Sequence, residues 1–188
     1  MRVLKFGGTS VANAGRFINV ADIAAQESAD DRVSLVLSAP AKITNLLVAL
    51  VQAGMSGSDG KDIQNQIRKI IEPIYETLSE KYPSFDKATV QAEFEETMNL
   101  ISRRIQGAAM LGECPERVQA FIESRGETFS IAIMRELLKA RGFSVRVIDP
   151  AAVLITEGDI MESSVDLEAS KKAYAAIPDE DPKAITLM

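Results

Sequence analysis

Apolar residues along the chain change period repeatedly, from short continuous runs to long stripes at steps of three and four, and this alternation predicts strands separated by helices. Residues 2–6 form a short apolar-rich run that ends at Gly7 and Gly8. Thr9 or Ser10 can then cap a helix whose apolar face is Val11, Ala14, Ile18, Ala21 and Ala25. Residues 33–37 read as a second strand, ended by Ser38-Ala39-Pro40 and followed by a helix over 44–53, and the glycine and serine cluster over 54–60 reads as a loop. From 62 to 81, Ile63, Ile67, Ile70, Ile71, Ile74 and Leu78 form one helical stripe, with a kink expected at Pro73. A second long helix over 87–111 carries Val90, Phe94, Met98, Ile101 and Ile105 on one face, and the two predict an antiparallel pair. Shorter helices are expected over 115–123 and 127–141, the latter stopped by Gly142 in a left-handed cap. A third strand over 144–148 is broken by Asp149-Pro150, a helix follows over 166–176, and 184–188 begins a fourth strand. Strands separated by helices predict a parallel α/β sheet with helices on both faces. Ending on such a strand, the 188 residues are expected to be a piece of a larger domain.

Composition narrows the chemistry. With 46% hydrophobic and 26% charged residues the balance is that of a globular chain. The longest apolar runs fall far short of the roughly 20 residues of a spanning helix, and no basic-then-apolar leader precedes the first strand, so the expected compartment is the cytoplasm, with no membrane partner. The single cysteine, Cys114, cannot form an internal disulfide and is expected as a small apolar side chain. A net charge of -6 argues against nucleic acid, whose affinity comes from dense Lys and Arg. Histidine is absent, which removes Ser-His and Cys-His catalysis and His-containing zinc sites. Chemistry must come from Lys, carboxylates, hydroxyls and backbone amides.

Three segments could carry it. Lys5-Phe6-Gly7-Gly8-Thr9-Ser10 lies between the first strand and the first helix, where unpaired amides favour anions, and Lys5 could neutralise oxygens of a transferring phosphoryl group. It is neither a Walker A loop nor a GxGxxG fingerprint, and taken alone its plainer reading is a Gly-Gly turn with a capping hydroxyl. Ser38-Ala39-Pro40-Ala41-Lys42-Ile43-Thr44-Asn45 places a second hydroxyl-rich loop at the same sheet edge; in isolation Thr44 reads equally as a helix N-cap. Glu127, after Ser124-Arg125-Gly126, could bind an ammonium group, although a glutamate in a first helical turn is favoured by the dipole without any function.

Together these segments resemble the amino acid kinase family and, within it, aspartate kinases. Lys5-Phe6-Gly7-Gly8-Thr9-Ser10 is highly specific to that group. The 38–45 loop, Arg125-Gly126-Glu127 with Ser130-Ile131-Ala132-Ile133-Met134, and Val147-Ile148-Asp149-Pro150 resemble the N-terminal part of bacterial, threonine-sensitive bifunctional aspartokinase–homoserine dehydrogenases. The resemblance implies the family's α/β/α sandwich, restricted to its N-terminal, substrate-binding part, with the nucleotide-binding part, regulatory domains and dehydrogenase domain elsewhere. It implies transfer of the γ-phosphoryl group of ATP, with Mg, to the β-carboxylate of L-aspartate, the first step towards threonine, lysine and methionine, and a homo-oligomeric parent using NADP if the dehydrogenase is present. The fragment alone is expected to be inactive. By similarity Lys5 is catalytic, Gly7, Gly8, Thr9 and Ser10 bind phosphate, Ser38, Thr44, Glu127 and Asp166 bind aspartate, and no residue here is a metal ligand. Other amino acid kinases, with glutamate or carbamate as acceptor, or a non-catalytic binding module, are the alternatives.

One stretch departs from the pattern. Some aspartate kinases carry an arginine for the substrate α-carboxylate four positions before an aspartate. The corresponding stretch, Glu162-Ser163-Ser164-Val165-Asp166, has none, so either aspartate is gripped differently or this loop aligns elsewhere.

Overall fold

The computed structural model describes residues 1–159, 163–178, 181 and 183–188. Its main sheet is parallel and four-stranded, in the order β1 (Arg2–Phe6), β2 (Val33–Leu37), β6 (Ile185–Leu187), β3 (Val145–Val147). All three parallel pairings need crossovers, and helices supply them: α1 (Ala14–Ser28) joins β1 to β2, and α8 (Leu167–Ala175) precedes β6. β2 reads Val-Ser-Leu-Val-Leu, with Val33, Leu35 and Leu37 buried on the face covered by α1 and α6 (Arg125–Ala140). On the opposite face Val3, Ser34, Thr186 and Arg146 stand in one row across the strands. The end of α8, at Tyr174 and Ala175, flanks that row across a cleft of about 220 Å³.

The first helix begins later than its sequence suggests. Thr9 and Ser10 fall in a 3-10 turn, Gly8–Val11, whose Ser10 N–H donates to the Gly7 carbonyl at 2.8 Å, and α1 is capped by Asn13, whose side chain accepts from Arg16 N–H at 3.0 Å. The later start also turns the buried stripe by one position, to Ala14, Phe17, Val20, Ala21 and Ala24, leaving Ile18 and Ala25 half-buried. α6 ends where Gly142 takes φ +85°, with Gly142 N–H on Lys139 O at 2.9 Å and Phe143 N–H on Leu138 O at 3.0 Å, the paired bonds of a left-handed cap.

α2 (Ile43–Met55), α5 (Glu116–Glu123) and the long pair α3 (Lys61–Lys81) and α4 (Lys87–Leu111) build the layer beyond α1 and α6. Pro73 sits inside α3 without ending it. Arg68 pairs with Glu95 and Glu76 with Lys87, so the partner's number falls as the α3 number rises and the two helices run antiparallel, as their stripes predict. Their apolar faces close on α6, where the Phe94 and Phe129 rings lie 5.0 Å apart with planes at 57°. Three short elements lie outside the sequence prediction: α7 (Pro150–Val153), capped by Asp149, and the paired two-residue strands β4 (Thr156–Glu157) and β5 (Ser164–Val165). No described helix is long and apolar enough to cross a membrane.

Phe94 is 2% exposed, and its truncation to Ala is expected to cost about 3–5 kcal/mol, read from the denaturant midpoint at unchanged slope. Glu95 gives a pH signature, because the hydrogen bond from Arg68 holds its carboxyl below the usual range against the opposing effect of burial. A depressed carboxyl stabilises the fold above its unfolded value and loses that contribution as pH falls through the folded one. The thermal-stability gap between wild type and Glu95→Gln at pH 7 is therefore expected to close below pH ~4, the ordinary carboxylate value. A gap of the same size at pH 3 contradicts this.

Candidate functional site

The carboxyl ends of β1 and β2 and the start of α6 meet at one place, and hydrogen bonds from three directions fix it. Ser38 N–H donates to Phe6 O at 3.0 Å, and Ala41 N–H donates to Gly8 O at 3.1 Å, which ties the loop after β2 to the loop after β1. The Ser130 hydroxyl, fully buried on α6, donates to Ser38 O at 2.8 Å. Ala39 N–H donates to Glu127 Oε1 at 3.4 Å.

Glycine is needed at two of these contacts for space. A Cβ on Gly8 would stand 2.6 Å from Ala39 O, and one on Gly126 would stand 2.6 Å from the Ala39 Cβ and 3.1 Å from Ile43 Cγ2. Gly7 differs, since nothing lies within 4 Å of its Cβ position. The space beside Gly7 is thus open for a ligand, while Gly8 serves the packing of the two loops.

Glu127 occupies the first turn of α6. The helix dipole explains a carboxylate there but not its environment. One oxygen is held by Ala39 N–H, and the other, Oε2, is buried without a hydrogen-bond partner. An unpartnered buried carboxylate oxygen costs free energy unless a donor comes to it. The site can therefore receive an ammonium group.

The remaining sequence-derived candidates are placed unevenly. Lys5 is exposed on the face of β1 opposite Leu4 and Phe6, and none of the described carboxylates forms an ion pair with it. Thr44 is not an N-cap: α2 starts at Ile43, and Lys42 takes the cap position at φ +75°, the sole positive φ among described non-glycine residues. That frees the exposed Thr44 hydroxyl. Asp166 caps α8, its carboxylate accepting from Ala169 N–H at 2.9 Å, and no hydrogen bond brings it to Ser38 or Glu127. Glu162, in the stretch without arginine, lies outside the described residues. Two contributors escaped the sequence reading, Ser130 and the left-handed Lys42. Ser130 was discoverable in principle, lying three positions after Glu127 on the buried side of α6.

Residues 1–179 match the amino acid kinase family. The chain is 40% identical over 180 residues to the bifunctional aspartokinase/homoserine dehydrogenase of Haemophilus influenzae, covering 94% of this chain and 22% of that protein. It is 34% identical over 173 residues to the protein of the same name from Buchnera aphidicola, covering 92% and 21%. The chain thus spans about a fifth of the length of these relatives. The fold matches Escherichia coli aspartokinase III in complex with lysine and aspartate, with a TM-score of 0.81 at 29% identity over 98% of this chain and 40% of that one. The same enzyme in complex with aspartate and ADP gives 0.81 at 26%, over 98% and 39%. With a family match over 179 residues and a shared parallel sheet, this chain belongs to the amino acid kinase family.

Proposed function

We propose that this chain supplies the acceptor half of an aspartate kinase site, in which the γ-phosphoryl group of ATP passes to the β-carboxylate of L-aspartate. The observation that carries the reading is the buried, unpartnered Glu127 Oε2 beside the loop after β2. It suits the α-ammonium of an amino acid. The aspartate and ADP named with E. coli aspartokinase III support the same pair of ligands.

The reaction asks little of the protein as an acid or base. The acceptor carboxylate, with a reference pKa of about 3.9, is already the nucleophile at neutral pH, which agrees with a chain that has no histidine. One aspartate oxygen forms a bond to the γ-phosphorus, the bond from that phosphorus to its bridging oxygen breaks, and ADP leaves with the electron pair. The burden is positioning and charge neutralisation. Glu127 takes the ammonium, and the Ser38 and Thr44 hydroxyls orient the substrate. The open space at Gly7 and the 3-10 turn carrying Gly8, Thr9 and Ser10 receive phosphate oxygens, and Lys5 offsets their charge. Mg would supply further charge neutralisation at the transferring phosphoryl group. The adenine pocket, and a homoserine dehydrogenase using NADP, belong to the rest of the parent protein, and the isolated 188 residues have negligible turnover.

The test is hydroxamate trapping of the acyl phosphate made by the full-length protein. Aspartate is expected to be the preferred acceptor, and faster turnover of glutamate or carbamate overturns the assignment. Glu127→Gln is expected to raise KM for aspartate about 10–100-fold, the size of one hydrogen bond to a charged group, with KM for ATP nearly constant and thermal stability equal or higher. A lower melting temperature with unchanged KM would make Glu127 structural. Lys5→Met is expected to lower kcat about 10²–10³-fold, as for the loss of one electrostatic donor.

A further inference from the structure

The peptide unit between Ser38 and Ala39 is held at both of its polar ends by one helix. Its carbonyl oxygen accepts from the Ser130 hydroxyl at 2.8 Å, and its N–H donates to Glu127 Oε1 at 3.4 Å. Glu127 and Ser130 stand three positions apart on α6, so they share a face and reach the loop after β2 as a pair. A peptide unit is planar and stiff, with its C=O and N–H pointing in opposite directions. Any tilt of this plane therefore changes both bonds together.

The Ser130 bond differs from those of several other helical hydroxyls. Ser28, Ser79 and Thr128 each turn back onto the carbonyl three positions earlier, a common use of short polar side chains in helices. Ser130, 0% exposed beside the buried Phe129, Ile133 and Met134, donates instead to a carbonyl 92 positions away. Ser38 N–H donates to Phe6 O at 3.0 Å, so both backbone groups of Ser38 are engaged, while its half-buried hydroxyl bonds to no described residue. The Glu127 contact is the sensitive one. At 3.4 Å it is long for an N–H···O bond, and it orients the carboxylate only while the peptide plane keeps its angle. Among the described residues Ala39 N–H is the sole hydrogen-bond donor to Glu127, and Oε2 stays unpartnered.

We propose that Ser130 is a positioning residue for substrate binding: by holding the Ser38 carbonyl it fixes the Ser38–Ala39 peptide, whose N–H sets where Glu127 presents Oε2 to the substrate ammonium. The assignment rests on the kinase reading of the same site. Ser130 itself touches no substrate. Without its bond the peptide rotates, and Glu127 holds the ammonium less well in the ground state and the transition state alike. A loss shared by both states raises KM and leaves kcat nearly unchanged.

A double-mutant cycle in the full-length protein, read by hydroxamate trapping, tests this. Ser130→Ala is expected to raise KM for aspartate about tenfold, the order of one hydrogen bond, with kcat and KM for ATP within about twofold. In the Glu127→Gln background the same change is expected to raise KM by less than about threefold, because the carboxylate through which Ser130 acts is gone. Ser130→Cys keeps a small side chain with a weak donor and is expected to fall between wild type and Ser130→Ala. A lower melting temperature of Ser130→Ala with unchanged KM makes Ser130 structural only and overturns the proposal. Equal losses in the two backgrounds overturn it as well. Wild-type protein that turns over no acceptor with an ammonium group sinks the kinase reading and this assignment together, whereas equal losses in a working aspartate kinase sink this assignment alone.

Discussion

Two segments far apart in sequence, the loop after β1 and the start of α6, converge on Ala39, and the candidate site depends on that convergence. Its carbonyl oxygen occupies the space a side chain on Gly8 would need, its methyl group occupies the space a side chain on Gly126 would need, and its N–H holds Glu127. Close packing leaves no room for adjustment at such a point, because interiors have few voids and a single added methyl must move backbone on both sides. The distance between the loop after β1 and the start of α6 is therefore set by contact rather than by flexible side chains. That is the condition for placing a phosphoryl donor and an acceptor within reach of each other.

The same convergence leaves Glu127 with a buried oxygen that no described residue satisfies. Buried side chains elsewhere follow the usual rule: Glu136 is met by Arg135 at 2.6 Å and by Lys139 at 3.0 Å, and Ser130 by Ser38. Among the described residues two buried side-chain atoms are left orphaned, Glu127 Oε2 and Arg141 Nη1, and Arg141 already has Asp22 at 2.7 Å. A carboxylate oxygen left open at the sheet edge costs stability that a bound donor would return under the proposed function. Lys42 fits the same pattern, since a non-glycine residue in the left-handed region is tolerated where the surrounding contacts over-determine it. Its neighbours supply them, with Ala41 N–H on Gly8 O and Ile43 N–H on Pro40 O at 3.0 Å.

Much of the architecture was legible in residue order, because the signals there are local and periodic. β1 and β2, α4, and the antiparallel pairing of α3 with α4 follow from apolar runs and stripes that tolerate few alternatives. What failed depended on competition between nearby caps. Asn13 outcompeted Thr9 and Ser10 because the 3-10 turn uses those residues before α1 starts, and the stripe on α1 moved with it. Thr44 was misplaced in the same way, since a left-handed Lys42 cannot be foreseen from propensity. α7 and the β4–β5 pair are too short to carry a period. For the site, sequence supplied the residue types, but the partnerships at Ala39 are tertiary and have no local signature.

The charge pattern extends this reasoning beyond one site. An acidic chain gains most from pairing each partly buried cation with one of its many carboxylates, and Arg68, Arg135 and Arg141 do so. Half-buried Arg125 does not: Asp149 and Glu127 act on it from beyond ion-pair distance, and Phe121 O and Ser124 Oγ accept its hydrogen bonds instead. The ring of Phe121 holds the stacked guanidiniums of Arg104 and Arg125 through cation–π attraction, a weaker substitute for a carboxylate. Glu127 and Arg125 thus sit two residues apart at the start of α6 without forming an ion pair, which leaves Glu127 Oε2 open.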